Sequence, residues 1–253
     1  MQNKTYKLFL YSITLLLFLT TSITPKIYET NNFSDVLKHV DSDTLVLLDI
    51  DNTLARPKGN CHIGSDPWFY DLLKEKKDIN LALPDYCLGS VNIDLQPAEK
   101  NTVSVFNKLK KTCPTIGLTA RNLYISSDTV LQLEKIDINF DGDNIPSQES
   151  VYYSHKDHPS TYHHGILFCG VNEKEAVIPF LLKQLKKRPK TIIFVDDKEK
   201  NLKTVEKIAE KEGLKFIGFR YGACDEYVKK YDAAQAKKDF EEIKNKRLHK
   251  KKR

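Results

Sequence analysis

The sequence predicts a three-layer α/β fold that is built on a parallel sheet. Short, uninterrupted apolar runs recur along the 253 residues, and segments with helical spacing of apolar residues separate them. An uninterrupted apolar run is typical of a strand that is covered on both faces. Strands that alternate with helices form parallel sheets, whose crossover connections are right-handed. We therefore expect helices on both faces of one sheet.

Five strands and five helices are predicted from these patterns. The strands are 44–48, 115–118, 165–169, 191–195 and 214–219. The helices are 33–40, 98–110, 128–135, 173–185 and 201–212. In a parallel sheet the ligand lies outside the carboxyl ends of the strands. The residues that follow each apolar run are therefore the first candidates for a functional site.

Two segments lie outside this alternation and are predicted to be insertions. Residues 55–96 follow the first strand, and Asp66 and Pro67 begin a helix within them. Residues 141–164 are polar and rich in aromatic and histidine side chains. Either insertion is long enough to fold over the strand ends as a lid.

The histidines of the second insertion lack cysteine partners and regular spacing, which favours a solvated loop over a zinc site. They are His155, His158, His163 and His164.

Residues 1–24 are predicted to be a secretory signal peptide or an uncleaved N-terminal anchor. Lys4 and Lys7 precede an apolar run at 8–19, which gives way to small and polar residues before Pro25. A basic start and a short apolar centre are typical of a signal peptide. The run is shorter than the ~20 apolar residues that a membrane span needs. Both alternatives predict that the body of the protein, residues 25–243, is exported to the periplasm or secreted.

The net charge of +6 comes from the end of the chain. Residues 244–253 contain seven lysines and arginines and no acidic residue, so the charge without them is −1. This tail is predicted to be disordered, and contact with an acidic membrane surface or with nucleic acid is the alternative. Because the remaining body is slightly acidic, we expect no nucleic-acid partner. Membrane contact is expected only through the N-terminal segment or the tail.

The five cysteines are Cys61, Cys87, Cys113, Cys169 and Cys224. An odd number leaves at least one cysteine unpaired within a monomer. Cys61 and Cys87 flank the same inserted region, so in an oxidising compartment they are candidates for a disulfide. No pair has CxxC spacing, which disfavours a structural zinc site.

Acidic residues follow the first and the fourth predicted strands. Asp49 and Asp51 lie two residues apart, so both project toward one crevice if the chain stays extended there. Asp196 and Asp197 follow the fourth strand. Carboxylates that crowd into one crevice repel each other unless a cation lies among them. Oxygen ligands without nearby cysteine or clustered histidine favour Mg²⁺ over zinc.

A hard cation held by carboxylates suits a phosphate substrate, because the phosphate oxygens complete its coordination shell. Asp49 is then placed to attack phosphorus and form an acyl phosphate. Asp51 is placed to protonate the leaving group and later to activate water. The acidic residues therefore predict a Mg²⁺-dependent reaction on a small phosphorylated substrate.

Four sequence motifs resemble those of the haloacid dehalogenase-like (HAD) hydrolase superfamily, phosphatase type. They are Asp49-x-Asp51-x-Thr53 after a strand, Thr119 after a second strand, Lys174 at the start of a helix, and Asp196-Asp197 after a later strand. They occur in the family's order over roughly residues 44–220. The resemblance implies a Rossmann-like parallel sheet with a small cap insertion after the first motif.

The chain departs from the superfamily pattern at one position and resembles one of its groups closely. Glu175 follows Lys174 where many relatives have Gly, so the third motif is the loosest of the four. The whole chain, including residues 64–69, is similar to a bacterial HAD-like group that is known only as a domain of unknown function (DUF2608-like). That resemblance implies no substrate.

The superfamily resemblance implies a role for each motif residue. Asp49 resembles the nucleophile, and Asp51 resembles the acid/base residue of the phosphatases. Thr119 is expected to hydrogen-bond the phosphoryl oxygens. Lys174 is expected to neutralise charge on Asp49 and on the phosphoryl group. Two simpler alternatives are a solvated helix residue for Lys174 and a helix N-cap for Thr119.

The resemblance also implies a metal set formed by Asp49, Asp51, Asp196 and Asp197. Asp51 contributes its main-chain carbonyl in the family. Asp197 is expected to bind Mg²⁺ directly, and Asp196 to bind it or to orient its water. Asn201, in the Asp-Asp-x-x-x-Asn pattern, is expected to support this set.

Two further residues are predicted to contact the substrate besides Thr119. Arg121 follows at the same strand end, and Trp68 lies in the first insertion. Packing in the insertion is the alternative for Trp68, because apolar residues lie beside it at helical spacing.

The sequence thus predicts an acid-phosphatase-like, Mg²⁺-dependent phosphomonoesterase that forms an aspartyl phosphate at Asp49. A phosphotransferase that uses the same intermediate is one alternative. A catalytically silent module, exported to bind a partner through its lid or tail, is another. The presence of both Asp49 and Asp51 favours the enzyme, since a binding module needs neither. The identity of the substrate and the oligomeric state cannot be predicted from these residues.

Overall fold

The computed structural model describes residues 26–152 and 158–250. It has the predicted three-layer α/β architecture, in which a mostly parallel, Rossmann-like sheet lies between helices on both faces. The signal peptide or anchor predicted at 1–24, His155, and the end of the basic tail at 251–253 lie outside the described residues.

Within the described ranges the main sheet has eight strands. In spatial order they are β1 (Lys26–Thr30), β10 (Lys215–Tyr221), β9 (Thr191–Asp196), β2 (Thr44–Leu48), β5 (Thr115–Thr119), β8 (Ile166–Phe168), β7 (Ser160–His163) and β6 (Ser150–Tyr152). The first six are parallel to one another, and β7 is antiparallel to both β8 and β6. The five predicted strands are all present. The unpredicted β1, β6 and β7 are short and mix polar with apolar residues, so they carry no uninterrupted apolar run.

The central strand β2 shows why the apolar runs are uninterrupted. Leu45 and Leu47 pack into the core on one face of the sheet, and Val46 and Leu48 pack into the core on the other. All four side chains are completely buried. Because successive residues of a strand point to opposite faces, a strand with two buried faces needs apolar residues at every position.

The helices cover both faces of the sheet. A 3₁₀ helix at Phe33–His39, α3 (Thr102–Thr112) and α4 (Ser126–Glu134) contribute apolar residues to the core on one face. Helices α5 (Ile178–Gln184) and α6 (Glu199–Lys211) contribute to the core on the other. Two of the predicted α-helices are therefore wholly or partly 3₁₀: the one at 33–40, and the start of the one at 173–185, where Lys174–Val177 precedes α5.

The first insertion forms a small helical cap on a two-stranded stem. β3 (Ala55–Pro57) pairs with β4 (Leu95–Pro97), and the helices α1 (Asp66–Lys76) and α2 (Ile79–Ser90) lie between them in the chain. Gly89 of α2 lies so close to Trp68 of α1 that an added Cβ would come within 2.3 Å of the indole ring. The absence of a side chain at this position allows the two cap helices to pack closely.

The second insertion, expected as a candidate lid, does not lie over the strand ends in its regular part. Its strands β6 and β7 extend the main sheet beyond β8 instead. His164 and Gly165 both have positive φ and form the tight turn that joins β7 to β8. Buried and partly buried positions alternate along β7, which fits a strand with one covered face that the polar composition concealed.

The basic tail expected to be disordered at 244–253 is helical as far as Lys250. It is the end of α8 (Ala233–Lys250), which follows the short α7 (Asp225–Val228). Ala236 and Phe240 of α8 are buried in a cluster with Trp68, and Ile243 packs against that cluster. This i, i+4, i+7 stripe docks the helix on the cap, so the backbone continues as a helix into the basic residues.

Two further features bear on the expected location of the protein. Cys61 and Cys87, the candidate disulfide pair, are free thiols and only partly buried. None of the helices in the described ranges combines the length and the apolar character that a membrane span requires.

We predict that Phe240→Ala lowers the free energy of unfolding by about 3 kcal/mol, the low end for loss of a buried aromatic ring. The reason is that Phe240 contacts Trp68 edge-on, with ring centroids 5.2 Å apart, and is 4% exposed. Urea denaturation followed by tryptophan fluorescence measures this, because Trp68 is the single tryptophan of the chain. The control is Lys237→Ala on the same helix, whose ion pair with Glu75 is exposed. Equal effects of the two substitutions would contradict the docking of α8.

Candidate active site

The carboxyl ends of three neighbouring strands bring predicted motif residues together. Asp49 follows β2, Thr119 ends β5 and Asp196 ends β9. β2 lies between the other two strands, and the Asp49 amide donates to the Val195 carbonyl at 3.0 Å. The side chains of Asp49, Thr119 and Asp196 are 6%, 1% and 0% exposed. The sheet therefore holds two carboxylates and a hydroxyl in a buried position at one edge.

Lys174 lies between two of these carboxylates. Its Nζ donates to Asp49 Oδ1 and to Asp196 Oδ2, at 2.7 Å in both cases. The lysine enters from the 3₁₀ helix that follows β8, and its side chain is only 6% exposed. The alternative of a solvated helix residue is therefore wrong. The departure at Glu175 does not prevent the lysine from reaching the strand ends.

Asp196 is held by donors from the loop and helix that follow it. Its Oδ1 accepts from the main-chain amide of Lys198 at 2.8 Å, and Asn201 Nδ2 lies 3.0 Å from both of its oxygens. These contacts fix the orientation of a carboxylate that is completely buried. Asn201 therefore lies where the motif predicts.

A tight turn after β2 separates Asp51 from Asp49. The Ile50 carbonyl accepts from the amides of Leu54 and Ala55 at 3.0 and 2.9 Å. Asn52 has φ +60°, a left-handed conformation that asparagine tolerates better than most residues. The chain is therefore not extended here, contrary to the sequence argument. Asp51 is therefore not part of the carboxylate group formed by Asp49, Asp196 and Asp197.

Arg121, predicted to contact the substrate, instead binds Asp51. Its Nε and Nη2 each donate to one Asp51 oxygen at 2.9 Å, which is a bidentate ion pair. Its Nη1 donates to Thr129 and to Gln132 at 3.1 and 3.0 Å, and the side chain is 2% exposed. Because its donors are engaged inside the protein, Arg121 positions Asp51 and has no free edge for a substrate.

Gln132 extends this network into the cap, and sequence analysis missed it. Its Nε2 donates to the main-chain carbonyls of Ser90 and Ile93 at 2.8 Å, while its Oε1 accepts from Arg121. Continuous hydrogen bonds therefore join Asp51 to the end of cap helix α2. A glutamine on an amphipathic helix carries no signal of such a role in the sequence.

The charges at the site favour a divalent cation. Asp49, Asp196 and Asp197 can each place a carboxylate oxygen within 4.8 Å of the others. Lys174 offsets one of their three negative charges, and Asp51 is already paired with Arg121. Hard oxygen donors with two uncompensated charges fit Mg²⁺. The Asp51 side chain is not part of this group. The ligand predicted for Asp51 is its main-chain carbonyl, which stays a prediction.

Burial and the repulsion of neighbouring carboxylates raise the pKa values of Asp49 and Asp197. Burial raises the pKa of Asp49 well above its usual value, although Lys174 opposes this effect. Burial and the neighbouring Asp196 raise the pKa of Asp197 to about 7. Burial disfavours the charged form of Lys174, but Asp196 and Asp49 outweigh it and raise the pKa of the lysine. A buried carboxylate cluster of this kind is stable with its charges only when a cation lies near it.

Trp68, predicted to contact the substrate, lies in the apolar interior of the cap. It is 3% exposed, and it contacts Tyr86 and Phe240. Its neighbours line a cavity of about 270 Å³ between the cap and the strand ends. The residues around this cavity are Asp66, Phe69, Tyr70, Ile79, Leu83, Tyr86, Ala120, Asn122, Gly170, Val171 and Lys198.

An ion pair between Asp66 and Lys198 joins the cap to the body at the cavity mouth. Asp66 begins α1, and Lys198 directly follows Asp197. Burial opposes the charged form of Lys198, but Asp66 outweighs it and raises the pKa of the lysine. The sequence predicts Asp66 only as the start of a helix, because its partner Lys198 lies far away in the chain.

A second group of titratable side chains lies at the turn between β7 and β8. His163 contacts Glu149 at 2.7 Å, and His164 contacts Asp141 at 2.9 Å. Glu149 and Asp141 are 56% and 50% exposed. These histidines, predicted to lie in a solvated loop, lie at this turn and contact exposed acidic residues.

The fold and the site together define an α/β protein with a buried acidic centre at the carboxyl edge of its sheet. The chain belongs to the family described as a protein of unknown function, DUF2608, whose sequence model matches residues 29–252.

Three further similarities accompany this family match. A Chlamydia pneumoniae protein described as "Putative outer membrane protein" is 24% identical over 216 residues, which are 78% of this chain and 77% of that protein. An uncharacterized Rickettsia prowazekii protein is 24% identical over 204 residues, 74% of this chain and 72% of its own. The structure of the class C acid phosphatase from Bacillus anthracis aligns with 83% of this chain and 81% of its own, at 16% identity and a TM-score of 0.35.

We predict that Arg121→Met lowers the free energy of unfolding by about 3 kcal/mol, because it leaves Asp51 and Gln132 without their partner. The matched control is Arg220→Met. Arg220 also forms a two-pronged pair with an aspartate, Asp225, but both side chains are partly exposed. We expect the control to cost less than about 1 kcal/mol. Urea denaturation of the two variants measures the difference, and equal losses would contradict the structural role of Arg121.

We predict that Asp197→Asn stabilises the metal-free protein increasingly as pH rises from about 4 to about 8. The usual pKa of an aspartate side chain is 3.8, and the pKa of Asp197 in the folded protein is about 7. A carboxyl group whose pKa is higher in the folded protein than in the unfolded chain costs no stability below its usual pKa. It destabilises the folded protein increasingly as pH rises from the usual pKa to the folded pKa. Thermal denaturation in the presence of a chelator should therefore give equal Tm values near pH 4 and a higher Tm for the variant near pH 8. A difference in Tm that does not change with pH would contradict this.

Proposed function

We propose that this chain is a HAD-like, Mg²⁺-dependent phosphohydrolase that releases phosphate from small phosphate monoesters through Asp49. The observation that carries the proposal is the contact of one buried lysine, Lys174, with both Asp49 and Asp196 at the strand ends. Those three residues come from three of the four HAD-like motifs. Asp49 and Asp196 lie 125 and 22 positions away from Lys174 in the chain. Packing of the core gives no reason for both of them to contact one buried ammonium group.

The first half of the reaction transfers the phosphoryl group to the protein. An Asp49 oxygen attacks phosphorus, the bond from phosphorus to the alcohol oxygen breaks, and Asp51, which must be protonated for this step, donates its proton to that oxygen. Lys174 and the Thr119 hydroxyl stabilise the charge that develops on the phosphoryl oxygens. When bound by Asp49, Asp197 and Asp196, Mg²⁺ supplies further charge neutralisation at the same oxygens.

The second half of the reaction restores the free carboxylate. Water attacks phosphorus, Asp51 accepts the proton, and the bond to Asp49 breaks to release inorganic phosphate. Arg121 supports both halves because it holds Asp51 by two hydrogen bonds. An alcohol in place of this water would give phosphotransfer by the same residues.

We further propose that the enzyme acts outside the cytoplasm, in the cell envelope or beyond it. Two observations support this location: the signal-like pattern at residues 1–24, and the similarity to the chlamydial protein described as a "Putative outer membrane protein".

We predict that Asp49→Asn lowers phosphate release at least about a thousandfold, because an amide cannot form the acyl phosphate. The assay is release of inorganic phosphate from 4-nitrophenyl phosphate by the purified protein with Mg²⁺, repeated with a chelator. Asp128→Asn is the control, since it makes the same chemical change at an exposed position of α4. A wild-type protein that releases no phosphate from any ester or anhydride, or an Asp49→Asn variant of full activity, would contradict the proposal.

A further inference from the structure

We propose that the cavity between the cap and the strand ends binds the alcohol part of the substrate, and that this part carries an aromatic ring. The inference rests on the proposed function and names the class of substrate for the same site. It is carried by the position of the cavity, by the side chains of its walls, and by the pairing of its charges.

The position of the cavity ties it to the reacting group. Ala120 directly follows Thr119, and Lys198 directly follows Asp197, so two of the lining residues adjoin predicted site residues. Gly170 lies two residues beyond the end of β8, the strand next to β5. A phosphoryl group held between Asp49 and Thr119 therefore has this cavity beside it, on the side of the cap. The alcohol is the part of the ester that must extend away from Asp49 for in-line attack.

Aromatic and aliphatic side chains form most of the cavity wall. Phe69 lies 6.1 Å from Tyr70 and 5.1 Å from Tyr86 between ring centroids, and these rings line the side of the cap. Tyr70 is 59% exposed and Val171, on the body, is 38% exposed. Apolar surface that stays accessible inside a cavity gains stability when a ligand of the same character covers it. Rings also pack on rings with a preference beyond their buried area.

The charges that border the cavity leave no unpaired positive charge for a second anionic group. Its one lysine, Lys198, is paired with Asp66, so the two charges cancel at the mouth. The side-chain oxygen of Asn122 accepts the amide of Tyr124, so this side chain offers a ligand only its NH2 group. A sugar or glycerol phosphate would bury several hydroxyls here against apolar walls, which costs free energy for each hydroxyl without a partner. An uncharged ring has few hydrogen bonds with water to lose, so its burial in the same space costs little free energy.

The volume of the cavity limits the size of the ring system. About 270 Å³ is slightly below the range of ~300–1,000 Å³ that is typical of pockets for drug-sized ligands. One or two rings fit this space, and a long chain or an oligosaccharide does not. We therefore infer a compact monophosphate whose alcohol carries one or two rings.

The test compares benzyl phosphate with ethyl phosphate, because both leave as primary alcohols and differ mainly in the ring. We expect kcat/KM of the wild-type protein with Mg²⁺ to be at least about tenfold higher for benzyl phosphate, which corresponds to burial of the ring. Tyr70→Ala removes one wall, and Val171→Asp places a charge in the opposite wall. Both should bring the ratio of the two kcat/KM values toward one. Leu81→Ala is the control, because Leu81 is a 59% exposed residue of the cap, on helix α2, that does not line the cavity.

The outcomes separate this inference from the proposed function. Release of phosphate from both esters with a ratio near one overturns the substrate class and leaves the phosphohydrolase intact. A high ratio that neither Tyr70→Ala nor Val171→Asp reduces overturns the assignment to this cavity. Release from neither ester, and none from 4-nitrophenyl phosphate, contradicts the proposed function itself. A high ratio that both variants reduce and Leu81→Ala preserves supports the inference.

Discussion

The contact of Lys174 with Asp49 and Asp196 is the interaction on which the site depends. Two carboxylates at neighbouring strand ends repel each other in a buried position, and one ammonium group 2.7 Å from each offsets part of that repulsion. The remaining negative charge of the cluster favours a cation, and under the proposed function the bound cation would help to hold a phosphate group. The fold makes this contact possible, because the carboxyl ends of parallel strands lie at one edge of the sheet and bring residues that are distant in the chain close together.

The cap is connected to this centre at two places that are chemically different. One is the buried network that runs from Asp51 through Arg121 and Gln132 to the end of α2. The other is the ion pair of Asp66 and Lys198 at the mouth of the cavity. The network holds Asp51, the residue proposed to transfer protons. The ion pair determines the charge at the mouth of the cavity, where a substrate enters. Catalysis and substrate selection would therefore both depend on how the cap sits on the sheet.

The sequence predicted the parts of the fold and site that depend on local patterns. Strands buried on both faces appear as apolar runs, and residues at their carboxyl ends share one edge, so Asp49 and Asp196 could be placed together. The partner of Arg121 could not be predicted, because the left-handed turn at Asn52 redirects Asp51. The helical tail was missed for a related reason. Its stability comes from Phe240 packing on the distant cap, which composition does not reveal.

The most direct test of the central claim is to trap the covalent intermediate. The protein is mixed with an aryl phosphate and Mg²⁺, quenched in acid during turnover and reduced with borohydride, which converts an aspartyl phosphate to homoserine. Peptide mass spectrometry then identifies the modified residue. The account predicts homoserine at position 49 and none after Lys174→Gln, which slows formation of the intermediate. Phosphate release with an unmodified Asp49, or with modification at another residue, would contradict it.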